Sequence, residues 1–363
     1  MSAGNGKRWG TWARLALLAG VVALLTACGT TDRADYPLDA LSPDGPTARA
    51  QDDLWTMVFP IAVGVFILVQ GLIIYAIVKF RDRGEEDLPK QVAGNTRLEI
   101  AWTIVPAAIL VWIAVPTVQT IFALDAEPDP AERIDVTVVG KQYWWEFSYP
   151  DEGIFTANEL VIPVDTPVYL TLEGEPTYEL VDGTETTASD LVIHSFWVPR
   201  LAGKQDYVPG HQNHLTIQAD EEGRYLGNCA EFCGLSHANM RFRVVAVSAA
   251  EYQEWLAAQQ EPAESPEEGA AAAGEEIVGA NCMICHAIEG HPDDQGQRIG
   301  PDLTHLMSRE EYAGAIFDLD DDEQLRRWIR NAPAEKPGAQ MNPFEELTDD
   351  ELDAIIAYLR TLE

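Results

Sequence analysis

Thirteen residues from Asn228, NCAEFCGLSHANM, bring two thiols, an imidazole and a thioether into one short stretch. Cys229, Cys233 and His237 recur every fourth residue, and Met240 follows three later. Two cysteines with two histidines suit structural zinc, and two cysteines alone suit a disulfide in an oxidising compartment. A thioether, however, is a poor choice for zinc and a good one for copper. The second imidazole has to come from another element, and His194, at the end of a strand-like run in VIHSFWVP, is best placed. Mononuclear copper carriers use one cysteine, two histidines and a weak axial methionine. With one cysteine more, two thiolates can bridge two copper ions, so that each metal keeps two sulfurs and one imidazole. A rigid shared core of that kind changes little between redox states, which favours rapid one-electron transfer.

A second chemical cluster is Cys282-Met283-Ile284-Cys285-His286. Two thiols separated by two residues and followed by histidine form the attachment sequence of c-type haem, the histidine ligating iron from one side. A thioredoxin-like pair shares the cysteine spacing but calls for a βαβ setting, and the flanks here read as helices. For the sixth iron ligand, Met341 lies in KPGAQMNP, far enough along the chain to return over the other side of the ring, whereas Met307 reads as core. His291 and His305 sit in polar stretches and read as solvated; His211 and His214 read as structural or surface residues.

These groups need elements to position them. From Arg133 to about Val247 the chain shows short β-branched and aromatic runs, IDVTVVG, YWWEFSY, PVYLTL, LVIHSFWV, HLTIQA and RFRVVAV, separated by Gly, Pro and Asp. That pattern predicts a β-sandwich or small barrel, closed by a short helix at AEYQEWLAAQ. The copper-binding domain is placed at 125–256. A segment rich in Pro, Glu, Ala and Gly at 257–273 predicts an extended linker. The haem-bearing module, 274–363, reads as all-helical, with EQLRRWIRNAP and a final helix N-capped by Thr348 with acids in its first turn.

The front of the chain is apolar. Lys7, Arg8 and Arg14, the run LALLAGVVALL and small residues before Cys28 describe an export signal at 1–27. After a lead at 28–53 come two apolar segments, about 54–80 and 100–124. Each exceeds the roughly 20 residues that cross a bilayer, which predicts a transmembrane hairpin over 54–124. Lys79, Arg81, Arg83, Lys90 and Arg97 lie between the spans, against Arg49 before them and Arg133 and Lys141 after. That bias places the connection in the cytoplasm and the C-terminal domains outside.

The 363 residues hold 59 acids against 24 bases, a formal charge of −35. Such a surface repels phosphate backbones and excludes nucleic acid as a partner; a basic protein is the natural one. The haem module, with twenty-one acids and seven bases from Gly274, carries much of the excess.

With these residues in place, the chain resembles subunit II of bacterial cytochrome c oxidases, fused to a class I cytochrome c. The motif Cys-x-Glu-x-Cys-x-x-x-His-x-x-Met matches Cys229, Glu231, Cys233, His237 and Met240, and HSFWVP matches around His194. The resemblance implies a cupredoxin fold and a dinuclear centre, CuA, with Glu231 ligating copper through its carbonyl and its carboxylate reaching a magnesium ion at the boundary with subunit I. It implies that Glu99, in RLEIAWTIVP, stands at the mouth of a proton path, and that Tyr143, Trp144 and Trp145 form an inlet patch for electrons, although Tyr143 stands where tryptophan is usual. An acidic residue usually precedes the first histidine ligand by three; here that place holds Leu191, beside Asp190. In the haem module, GPDL implies that the Pro301 carbonyl accepts a hydrogen bond from His286. Leu-Thr-Ala-Cys resembles a lipoprotein signal, which implies a lipid on Cys28 in the bacterial cell membrane.

The function implied is transfer of electrons from an external donor, a cytochrome c or a cytochrome bc complex, through haem c and CuA to haem in subunit I. Oxygen is reduced there with proton pumping. The spans of this chain carry no histidine cluster, so oxidase subunit I and its companion subunits are required partners. A nitric oxide reductase with a similar CuA subunit and a membrane-anchored electron carrier are the alternatives. The hairpin argues against a simple carrier, for which one anchor suffices. Quinol oxidase second subunits lack the copper ligands.

Overall fold

The computed structural model describes residues 36–81, 93–173, 177–179, 185–187 and 192–363. The expected leader, Cys28, Asp190 and Leu191 lie outside the described residues. Two long helices come first, α1 (Pro46–Lys79) and α2 (Thr96–Leu124). No residue in the most apolar window of either helix is buried, and Phe66, Ile77, Leu110 and Trp112 point outward. Continuous apolar surface of this extent is suited to lipid rather than water. Pro60, Pro106 and Pro116 lie within the helices without ending them. Asn95 caps α2 by accepting from the Leu98 amide, and Glu99 accepts from the Asn95 amide at 3.2 Å.

Helix α1 begins well before the apolar run at Leu54. Pro46 supplies a preset φ in the first turn, and that turn is fastened to the β-domain. Thr47 Oγ1 donates to the Thr216 carbonyl at 3.0 Å and the Ala48 amide to the Leu201 carbonyl at 3.2 Å. The expected lead therefore ends in helix, and the first turn of α1 is hydrogen-bonded to the β-domain.

That domain is a sandwich of two five-stranded sheets among the described residues. One has the order β10 (Asn213–Ile217), β5 (Val168–Leu172), β1 (Ile134–Lys141), β2 (Trp144–Tyr149), β3 (Ile154–Ala157). The other runs β4 (Glu159–Pro163), β12 (Arg241–Val247), β11 (Gly223–Cys229), β8 (His194–Trp197), β9 (Gln205–Tyr207). Strand alternation in β1 and β2 turns Val136, Val138, Trp145 and Phe147 inward. They meet Phe196 and Phe242 of the facing sheet, whose rings stack 4.5 Å apart. A separate two-stranded pair joins β6 (Thr177–Glu179) and β7 (Glu185–Thr187). Helix α3 (Ala249–Gln259) starts with a capping box, Ser248 and Glu251 bonding reciprocally.

The linker expected at 257–273 is shorter and more ordered than its composition suggests. Helix α3 takes its first residues, and α4 (Ala270–Asn281) takes the alanine run, alanine being the strongest helix former. The piece between is fastened to the haem module: the Ala263 amide donates to the Glu289 carbonyl at 2.8 Å, and Ser265 Oγ to Glu275 at 2.6 Å. The module packs α4 against α7 (Asp349–Leu359), with α5 (Asp322–Arg330), α6 (Ala332–Glu335) and a short pair, β13 (Glu311–Tyr312) with β14 (Phe317–Asp318). Gly274 allows the close crossing, since a Cβ there would lie 2.0 Å from the Ala354 carbonyl oxygen.

Candidate copper and haem sites

Neighbouring strands bring the first site together. Cys229 ends β11 opposite Phe196 of β8, and two residues earlier β8 begins with His194, whose Nδ1 lies 3.8 Å from Cys229 Sγ. Strands β11 and β12 pair antiparallel, and the Cys229 amide donates to the Met240 carbonyl at 2.9 Å. Residues 230–239 thus form a closed loop. Within it Cys233 Sγ stands 3.8 Å from Cys229 Sγ, 3.7 Å from His237 Nδ1 and 3.8 Å from Met240 Sδ, and the Glu231 carbonyl oxygen lies 3.1 Å from Cys229 Sγ. The ligand atoms of His194, Cys229 and Cys233 all lie within 4.8 Å of one another, and all three residues are buried.

The electrostatics of this cluster suit a cation. Hydrogen bonding from Cys233, then from His194, pulls the Cys229 thiol well down against the opposing effect of burial. Its partnership with Cys229, together with burial, pushes Cys233 up. The two thiols are thus driven in opposite directions by each other, and a soft cation held between them would favour both as thiolates. His194 is fully buried and its Nε2 has no hydrogen-bond partner among the described residues. Its ring meets Trp145 edge-on at 5.8 Å, and Gly140 leaves room behind it: a Cβ there would approach the ring to 2.9 Å. The donor set, two thiols, two imidazoles, a thioether and a carbonyl, fits copper. The two sulfurs are unbonded to each other in this arrangement.

The second site is a cavity of about 570 Å³, lined by Cys282, Cys285, His286 and Met341. His286 Nδ1 donates to the Pro301 carbonyl at 2.6 Å, which leaves Nε2 as the ligating nitrogen. Burial lowers the His286 pKa, so the ring stays neutral. Gly300 packs against this ring; a Cβ would lie 2.6 Å from its Cε1. Met341 faces the cavity, while Met307 stands outside it, 3.4 Å from Arg360 Nη1. Thiols, a neutral imidazole and a facing thioether in an apolar chamber fit a covalent haem.

One expectation needs correction. His291 and His305 are each 6 % exposed, not solvated. They act as internal ties, His291 Nε2 to the Glu275 carbonyl at 3.2 Å and His305 Nδ1 to the Glu363 carbonyl at 2.7 Å. In the aromatic patch only Trp144 is half-buried, the other two being buried. Trp145 is fully buried because strand alternation turns it into the core, Tyr143 is 7 % exposed, and Trp144 lines the haem cavity with Lys141 and Gln142. Sequence reasoning gave no role to Gln142, whose Nε2 donates to the Cys233 carbonyl at 2.5 Å, or to Gly140 and Gly300. Gly140 ends the run IDVTVVG and Gly300 opens GPDL, and that placement is the only signal they carry. Glu99 sits at the first turn of α2, in a capping role.

Comparison with known proteins decides the family. Residues 39–120 match the model for the cytochrome c oxidase subunit II transmembrane domain, 134–247 that for its periplasmic domain and 271–363 that for cytochrome c. A cytochrome c oxidase subunit 2 of Alkalihalophilus pseudofirmus is 36% identical over 98% of this chain and 99% of its own. The chain belongs to the cytochrome c oxidase subunit II family. The subunit 2 of Bacillus subtilis is 35% identical, over 97% of this chain and 98% of that one. A solved periplasmic domain of subunit II from Bradyrhizobium japonicum is 26% identical, covers 36% of this chain and 96% of that one, and superposes with a TM-score of 0.30; the family therefore rests on the sequence matches. Membership makes the chain an oxidase subunit in a membrane, with a copper-binding domain and a cytochrome c domain on the outside, and makes other oxidase subunits its partners.

Proposed function

We propose that this chain is the electron inlet of a haem-copper oxidase, receiving electrons from an external cytochrome c or a cytochrome bc complex and delivering them to haem in subunit I, where oxygen is reduced with proton pumping. The observation that carries the reading is the convergence of His194, Cys229 and Cys233 at the centre of a six-residue donor set. Cys229 and Cys233 serve as shared thiolates of dinuclear copper, with His194, His237, Met240 and the Glu231 carbonyl completing it. Cys282 and Cys285 hold haem c, with His286 and Met341 on its two sides. Both groups, when bound, supply one-electron transfer. The Glu231 side chain is exposed and free to reach magnesium at the subunit I boundary, and Glu99 opens a proton path into subunit I. The mature chain starts at Cys28 and carries membrane lipid there. The copper domain spans 125–256 and the haem module begins at Ala270, the start of α4.

The test is gas consumption by the complex purified through this chain, supplied with a reduced soluble cytochrome c. Oxygen uptake is expected, and, with the complex reconstituted in sealed vesicles, proton release on the side that holds the cytochrome c. Reduction of nitric oxide without oxygen uptake would overturn the assignment in favour of a nitric oxide reductase.

A further inference from the structure

The two outer modules share a contact that lies along the rim of the haem cavity. Lys336, in the haem module, is 3 % exposed. Its Nζ donates to the Tyr143 carbonyl of the copper domain and to the Ala313 carbonyl of its own module, each at 2.7 Å. Beside it Ser236, 1 % exposed, donates to the Pro337 carbonyl at 2.5 Å. Ser236 directly precedes His237, and Pro337 stands four residues before Met341, so this bond joins the two ligand-bearing segments. Gly338 lies against the Tyr143 ring, where a Cβ would come within 3.0 Å. Around this centre Arg243 holds Glu311 through two bonds of 2.6 and 2.8 Å, Arg224 reaches Glu310 at 3.1 Å, and Lys141 donates to the Arg298 carbonyl at 2.6 Å.

A module that swings on a tether meets its target through a wet, weakly paired surface. Buried hydrogen bonds to main-chain carbonyls instead select one geometry. A buried donor is costly when its acceptor is missing, and undocking would remove the Tyr143 carbonyl from Lys336. The covered surface is the aromatic patch itself.

We propose that Lys336 latches the haem module over Tyr143, so that the patch is an internal docking surface and the copper domain accepts electrons from the haem module alone. This rests on the relay described under the proposed function. One electron leaves the donor, which is oxidised; the haem module is reduced, and reoxidised as the electron passes to the copper domain, with no bond made or broken in this chain. Lys336 is a positioning residue: it lines the haem cavity, but its Nζ is taken up by two main-chain carbonyls and fixes the module that bears the haem site.

The test compares the full-length chain, loaded with copper and haem, with Lys336→Met. Amide hydrogen exchange of residues 142–146 reads docking, and rapid mixing with a reduced soluble cytochrome c reads the route. In the native chain exchange is slow, and copper reduction follows haem reduction at a rate independent of donor concentration. In Lys336→Met the ratio of docked to undocked chains falls roughly tenfold to a hundredfold, the worth of the buried bonds lost. Exchange rises accordingly, and a copper phase proportional to donor concentration appears, while the content of covalent haem and of copper stays unchanged. Should Lys336→Met fail to incorporate haem, Arg243→Ala, outside the cavity, is measured instead, with the same changes expected. A native chain whose copper is reduced in proportion to donor, or variants that exchange and react as the native chain does, would overturn the latch. A chain lacking the dinuclear copper spectrum would instead fail the relay reading beneath it.

Discussion

His194 and His286 hold their places because glycine stands behind each ring. Gly140 and Gly300 leave the space, and a methyl group at either position would enter it at 2.9 and 2.6 Å. Gly140→Ala is expected to displace the His194 imidazole and lower copper content while haem content stays unchanged. Gly300→Ala is expected to do the reverse, disturbing the haem spectrum and sparing copper. Metal and haem analysis of the two purified variants checks both outcomes, and a matching loss of both groups in either would contradict this division. The contiguous part of the copper motif was readable in sequence because five of its donors lie within twelve residues. His194 was readable only through its strand, and the two glycines carry no chemistry of their own to announce them. Lys336 and Ser236 gain their roles from the apposition of two modules, which no local pattern encodes.

Helix α7 ends the chain and closes the haem cavity through Ile355 and Leu359. Its start is a capping box in which the Thr348 amide and hydroxyl bond the Glu351 carboxylate at 2.8 Å each. Those bonds hold the Glu351 pKa below its ordinary value of 4.5. The folded state then binds the proton less readily than the unfolded one, so the stabilisation is complete above the ordinary value and lost as pH falls through the folded value. Acid titration of the helical circular dichroism signal is therefore expected to show a loss below about pH 4.5 that Glu351→Gln makes shallower; an unchanged profile in the variant would contradict the assignment. This helix was readable in sequence from Thr348 and its acids. Strand β4 was not: all five residues of Glu159–Pro163 are buried, so the run lacks the alternation that marks a strand with one wet side. The alanine run of α4 was hidden in a composition that suggested a linker.

Hairpin, copper domain and haem module form one connected path from membrane to outer surface. The first turn of α1 is bonded to the sandwich at Thr216 and Leu201, and the haem module is bonded to that domain at Tyr143, Ser236 and Arg243. The order of modules along the chain was evident from composition alone. Their docking was not, because the contacts join residues more than sixty positions apart. The haem cavity is completed by Lys141, Gln142, Tyr143 and Trp144 of the copper domain, which makes the two redox sites parts of one structure. The most direct test of the account is electron spin resonance of the purified full-length chain, together with its copper and haem content. Two coppers per covalent haem, with one unpaired electron spread equally over both copper nuclei, are predicted by the shared thiolates Cys229 and Cys233. A single zinc, or one copper with the hyperfine pattern of an isolated nucleus, would contradict it.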